Sequence, residues 1–136
     1  MQIVIDTNVF ISSFLTDGYL IKVINYWKTG NANICLSNTI VDEYLKVLEK
    51  LGLSGEQEVD EIMGLFAKGY HLVFASKTPA PNIVKEDPDD NKFFDCAVAL
   101  NAKYIISGDK AVLAIEEYFR IKVVSPKEFI ELKNEN

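Results

Sequence analysis

Histidine is nearly missing from this chain. His71 is its sole representative, so a histidine-rich zinc site has no ligand set, and the place of His71 at the start of a strand-like run suits a structural imidazole better than a general base. Cysteine is almost as scarce: Cys35 in a strand-like run and Cys96 on a helix face lack metal-ligand spacing and read as reduced core thiols. No glycine-rich phosphate loop is present, because Gly52 and Gly55 lack both the required spacing and a Lys-Ser or Lys-Thr ending, which disfavours ATP and dinucleotide chemistry. No apolar run is long enough to span a bilayer, and Met1-Gln2 enters the first strand without a basic start, so neither a membrane segment nor a signal peptide is read and a cytoplasmic location is expected. Positive charge is also short, with 14 Lys and Arg against 20 Asp and Glu and a formal charge of −6. That balance argues against a simple nucleic-acid coat protein but leaves a nuclease open.

What is present is an alternation of strand and helix signals over 136 residues, enough for one core. Ile3-Val4-Ile5 turns at Asp6 into a helical pattern, and Tyr19 to Trp27 mark a second helix that ends at Gly30. A strand over 33–36 leads through Ser37 or Asn38 as cap into a helix with Ile40, Tyr44 and Leu48 inward. Ser54 with Gln57 resembles a capping box for the next helix, and Tyr70 to Phe74 reads as a third strand. Residues 75–89 hold Pro79, Pro81 and Pro88 and read as a long loop. Asp90 opens a helix, Tyr104-Ile105-Ile106 is a fourth strand, Lys110 to Glu117 a short helix, and Lys122-Val123-Val124 a fifth strand. Ser125-Pro126-Lys127-Glu128 opens the closing helix with a cap, a proline and a capping-box glutamate. The expected fold is one three-layer α/β/α domain over residues 1–133, with a central parallel sheet of four to five strands and a frayed end at 134–136.

Four carboxylates fall just past strands or in the following helices: Asp6, Glu43, Asp90 and Asp109. A parallel sheet with crossover helices gathers such positions on its carboxyl edge, where open α/β sheets place their ligands. Carboxylates drawn together repel, and hard divalent ions such as magnesium or manganese are what oxygen-rich clusters hold. Neutralising the four would bring the formal charge from −6 to −2, so much of the acidity lies where an ion would compensate it. Asp6, Asp90 and Asp109 also suit helix N-caps, whereas Glu43 sits too far into its helix to cap anything. Asp95 and Asp87 rival Asp90 for the third position. Lys92 and Lys110 flank the acids and are candidates for contact with a substrate phosphate.

In order and separation these segments resemble the PIN domain family, metal-dependent ribonucleases that include the toxins of toxin-antitoxin pairs. Asp6-Thr7-Asn8-Val9 is similar to the family's opening motif, Ser37 through Glu43-Tyr44 to its second, Asp87-Pro88-Asp89-Asp90-Asn91-Lys92-Phe93 to its third, and Ile105 through Lys110 to its fourth. The resemblance implies an acidic active site of Asp6, Glu43, Asp90 and Asp109 with one or two magnesium or manganese ions. It makes Asn8 and Ser107 supporting polar groups, with Asp87 and Asp95 as possible additions. It further implies an RNA substrate, a homodimer and a cognate antitoxin. Lys110-Ala111 lacks the extra acid that some relatives carry after the fourth motif. The alternatives are a catalytically silent module of the same fold and a receiver-like signalling domain. The receiver is disfavoured because the third strand ends Val73-Phe74-Ala75 without an acid. A haloacid-type phosphatase is weaker still, since Asn8 stands where its second aspartate would be. Tyr26, Trp27 and Tyr44 read as core packing, with a dimer or antitoxin surface as the other possibility.

Overall fold

A computed structural model of the chain describes residues 1–15, 18–75 and 91–134. β1 (Gln2–Ile5) feeds α1 (Thr7–Ser12) and α2 (Tyr19–Lys28), and β2 (Asn33–Ser37) feeds α3 (Asn38–Lys50) and α4 (Gln57–Ala67). β3 (Leu72–Ala75) is followed among the described residues by α5 (Asn91–Ala99), then β4 (Tyr104–Ile106) and α6 (Lys110–Leu113). β5 (Glu117–Tyr118), β6 (Ile121–Val124) and α7 (Pro126–Asn134) complete the order.

The strands form one α/β sheet in the order β3-β2-β1-β4-β6-β5, parallel throughout except for β5. β1 is central: Ile3 pairs with Ile34 of β2 on one side and with Tyr104 of β4 on the other. Its consecutive residues Ile3, Val4 and Ile5 are all fully buried although successive strand side chains point to opposite faces, so both faces of the sheet are covered. The strand order reverses between β1 and β4. That reversal is the switch point at which open α/β sheets open a crevice at their carboxyl ends.

Aromatic side chains lock the helices onto this sheet. Phe10 of α1 stacks on Tyr44 of α3 at 4.1 Å, and Trp27 of α2 meets Phe66 of α4 edge-on at 5.5 Å. Trp27 and Tyr44 are buried, which settles both as core rather than docking surface, and Tyr26 packs edge-on against Phe129 of α7. Cys35 and Cys96 are free and buried, each thiol pushed up to about 12 chiefly by burial, which keeps both inert. Ser125 and Glu128 make the reciprocal capping box of α7, with Ser125 N–H donating to Glu128 and Glu128 N–H to Ser125.

Three local expectations fail. The helix read over 110–117 ends at Leu113, and the chain turns through Glu116 (φ +64°) into β5. β5 then pairs antiparallel with β6 through a two-residue turn of Phe119 and Arg120, both left-handed, with neither the Gly nor the Asn that normally signals such a turn. The N-cap of α4 is Glu56, without a side-chain cap bond, so Ser54 and Gln57 form no capping box. β3 starts at Leu72 rather than Tyr70, because His71 takes a left-handed φ of +44° and the Tyr70 hydroxyl is held by the Lys28 carbonyl.

Candidate functional site

Asp6 and Asp109 stand at the carboxyl ends of β1 and β4, on the two sides of the switch point. Both are helix N-caps: Asp6 Oδ1 accepts from Val9 N–H at 2.8 Å, and Asp109 Oδ1 accepts from Ala111 N–H at 2.8 Å and Val112 N–H at 3.3 Å. Capping is therefore real for both, and it spends only one oxygen of each. The remaining Asp6 oxygen, Oδ2, accepts from the Ser107 hydroxyl, whose oxygen in turn accepts from Asp109 N–H at 3.0 Å. The strands fix this spacing, since Asp6 N–H donates to Ile106 O and Ser107 N–H to Val124 O.

Asp6 is a carboxylate almost sealed from water, 4% exposed. Burial pushes its pKa above the ordinary carboxylate range and the nearby charge of Asp109 adds to that, while the bonds from Ser107, Val9 and Gly108 pull the other way. A cation between the two carboxylates would relieve both upward effects, so the electrostatics fit one. The donors are also all oxygen, which fits a hard divalent ion rather than a thiophilic one.

Glu43 approaches from α3 with both oxygens engaged. Oε2 accepts from the Thr7 hydroxyl and Oε1 pairs with the Lys92 ammonium from the first turn of α5. Next to it, Tyr44 donates its buried hydroxyl to the carbonyl of Ile5, pinning α3 to the end of β1. Burial, with the charge of Asp6 second, keeps that phenol protonated and hence a donor. Asp42 is exposed, as its position beside the inward-leaning Glu43 implies.

Asp87 and Asp90 lie outside the described residues, as does the proline-containing stretch before α5. Asp95 is on α5 with its Oδ1 buried and without a hydrogen-bond partner among the described residues, and burial pushes its carboxyl up to about 6. Asn8 and Lys110 are exposed. Among the described residues no three of His, Cys, Asp and Glu stand close enough together to hold a metal ion. Sequence reading misses Thr7, although its place directly after Asp6 is the available signal: a hydroxyl beside a rim carboxylate, here 7% exposed. The cleft lined by Asn101, Lys103, Phe119 and Arg120 belongs to the opposite, amino edge of the sheet and shares no residue with these carboxylates. Among the described residues no helix is long and apolar enough to cross a membrane.

Comparison with known proteins gives two findings. The family model described as PIN domain matches residues 2–111. An uncharacterized protein of Methanocaldococcus jannaschii, MJ1680, is 30% identical over 150 aligned positions, spanning 96% of this chain and 90% of the relative. The strand order agrees with that match and contradicts the receiver-like alternative, whose sheet would run 2-1-3-4-5.

Proposed function

The chain belongs to the PIN domain family, and on that premise we propose that it is a metal-dependent endoribonuclease, the toxin of a toxin-antitoxin pair, with residues 1–133 serving as one catalytic domain. PIN domains are generally nucleases, generally use divalent metal ions, and bind RNA. The observation that supports the finer reading is the buried, upward-shifted Asp6 facing Ser107 and Asp109 across the switch point.

In this reading Asp6, Asp90 and Asp109 hold the tighter of one or two magnesium or manganese ions. A divalent ion bound there supplies charge to the non-bridging phosphate oxygens and makes water more acidic. Ser107 holds Asp6 Oδ2, and the caps at Val9 and Ala111 hold Oδ1 of Asp6 and of Asp109, so both side chains are fixed in place before an ion arrives. Glu43 orients the attacking water or takes its proton while oxygen bonds to phosphorus and the phosphodiester P–O bond breaks; alternatively it carries the weaker second ion. Asp87 and Asp95 are the additional acids of the site, Asn8 is a polar support on the exposed first turn of α1, and Lys110 contacts a substrate phosphate. A homodimer, a cognate antitoxin that covers the carboxyl edge and a cytoplasmic location complete the proposal.

The test is incubation of the purified protein with labelled single-stranded and structured RNAs in manganese, magnesium or chelator. Internal cleavage in the metals and none in chelator is expected; cleavage that persists in chelator rejects the reading. A small DNA-binding protein encoded next to this gene supports the toxin role, and its absence favours a housekeeping RNA-processing enzyme.

A further inference from the structure

Of the described candidate acids, Glu43 is the one whose two oxygens are already committed to side-chain donors, one to Thr7 and one to Lys92. The Lys92 and Glu43 side chains are 15% and 28% exposed, so the pair is partly shielded from water, where an unpaired charge is costly. Lys92 occupies only Oε1, and the ion's route to Glu43 is the other oxygen, now held by the neutral Thr7 hydroxyl. An ammonium and a divalent ion on one carboxylate nevertheless repel each other at close range, so an ion that faces Glu43 weakens the hold on Lys92.

The same helix offers Lys92 a second acceptor. Asp95 lies three residues further along α5, and residues at that spacing share a side of a helix. Its Oδ1 is buried and has no hydrogen-bond partner among the described residues, an uncommon condition for a carboxylate oxygen. A lysine head on a four-carbon stem can turn from one acceptor to another by side-chain rotation alone.

We propose that Lys92 is a two-position counter-ion: it neutralises Glu43 while the site is without metal, and it moves to Asp95 when a divalent ion takes Glu43. The inference rests on the reading of Glu43 as an ion-facing residue. It makes Lys92 a positioning residue that acts through two carboxylates, and it assigns Asp95 a role as the ammonium's second seat rather than as an ion ligand. Competition for one carboxylate is a coupling between two cations, and such couplings commonly change affinity by roughly fivefold or more.

Calorimetric titration of the chelator-treated full chain with manganese tests this without reference to cleavage. Lys92→Met is expected to bind manganese at least about fivefold tighter than wild type. Lys92→Arg, which keeps the charge, does not bind tighter. Lys110→Met removes an equal charge from the same rim and gains less than Lys92→Met. Asp95→Asn weakens binding when Lys92 is present and leaves the affinity of Lys92→Met unchanged in the double variant. Equal gains from Lys92→Met and Lys110→Met overturn the proposal, as does an Asp95→Asn loss that persists without Lys92, which would make Asp95 a ligand. Should the variants not fold, the Lys92 side-chain NMR signal of the unmutated protein decides: it shifts on addition of magnesium, and a signal unmoved at saturation contradicts the two-seat arrangement. Wild-type protein that binds no manganese rejects both this inference and the ribonuclease reading. Manganese-dependent cleavage with no Lys92 effect on affinity rejects the inference alone.

Discussion

The Ser107 hydroxyl donates to the buried carboxylate of Asp6, a contact between residues 101 positions apart that joins the ends of β1 and β4. Because Ser107 also accepts from Asp109 N–H, one hydroxyl sets the positions of two candidate ligands. Ser107→Ala leaves a buried carboxylate short of a donor and is expected to lower stability by about 1–3 kcal/mol, and to raise the Asp6 pKa further. Urea unfolding followed by the fluorescence of Trp27, the chain's single tryptophan and fully buried, measures the first effect. Ser107→Thr keeps the hydroxyl and is expected to keep most of the stability.

Tyr44→Phe retains the stack on Phe10 and removes only the hydroxyl bond to the Ile5 carbonyl. The expected loss is on the order of 1 kcal/mol. Tyr44→Ala also opens a cavity in the core and is expected to lose about 3–5 kcal/mol, as large aromatic truncations do. Equal losses in the two variants would show that the hydroxyl, not the ring, carries the contribution.

The five parallel strands and two of the candidate site's carboxylates are legible in the sequence because both rest on local chemistry, whereas the antiparallel β5, read as the end of a helix, is not. β-branched runs at Ile3-Val4-Ile5 and Tyr104-Ile105-Ile106 lead into aspartates that cap the next helix, and Asp6 and Asp109 are found capping α1 and α6. The PIN resemblance, carried by four motifs in order, agrees with the family match. The features hidden from the sequence are set by tertiary contact or by unusual backbone. Nothing in the neighbourhood of Thr7 or Lys92 announces that both converge on Glu43 from 36 and 49 residues away. Lys92 reads as a phosphate contact in the sequence, and it is found paired with a carboxylate. The Phe119-Arg120 turn is not legible because neither residue favours the left-handed conformation it adopts.

Asp95 links stability to pH. Its folded-state pKa is pushed up to about 6 by burial from an ordinary value of 3.8, so the folded protein binds the proton more tightly than the unfolded chain. Its contribution is therefore fully present below about pH 4 and is lost as pH rises through about 6. Thermal midpoints in chelator across that window are expected to fall less for Asp95→Asn than for wild type. Parallel curves would place the titration elsewhere.

Asp6→Asn removes a buried charge while keeping shape. In chelator its stability is expected within about 1 kcal/mol of wild type or above it, because the desolvated carboxylate is gone. Manganese is expected to raise the wild-type thermal midpoint and to leave that of Asp6→Asn nearly unchanged. A variant stabilised as much as wild type would remove Asp6 from the ion's ligands.

In the proposed function, carboxylates at the β1/β4 switch point act on RNA through a divalent ion. The direct measurement is single-turnover cleavage of one labelled RNA by wild type and Asp6→Asn, each with manganese and with chelator, on samples shown to be folded. Cleavage by wild type with manganese alone is expected, and none by Asp6→Asn under either condition. Asp6→Asn cutting at the wild-type rate would contradict it.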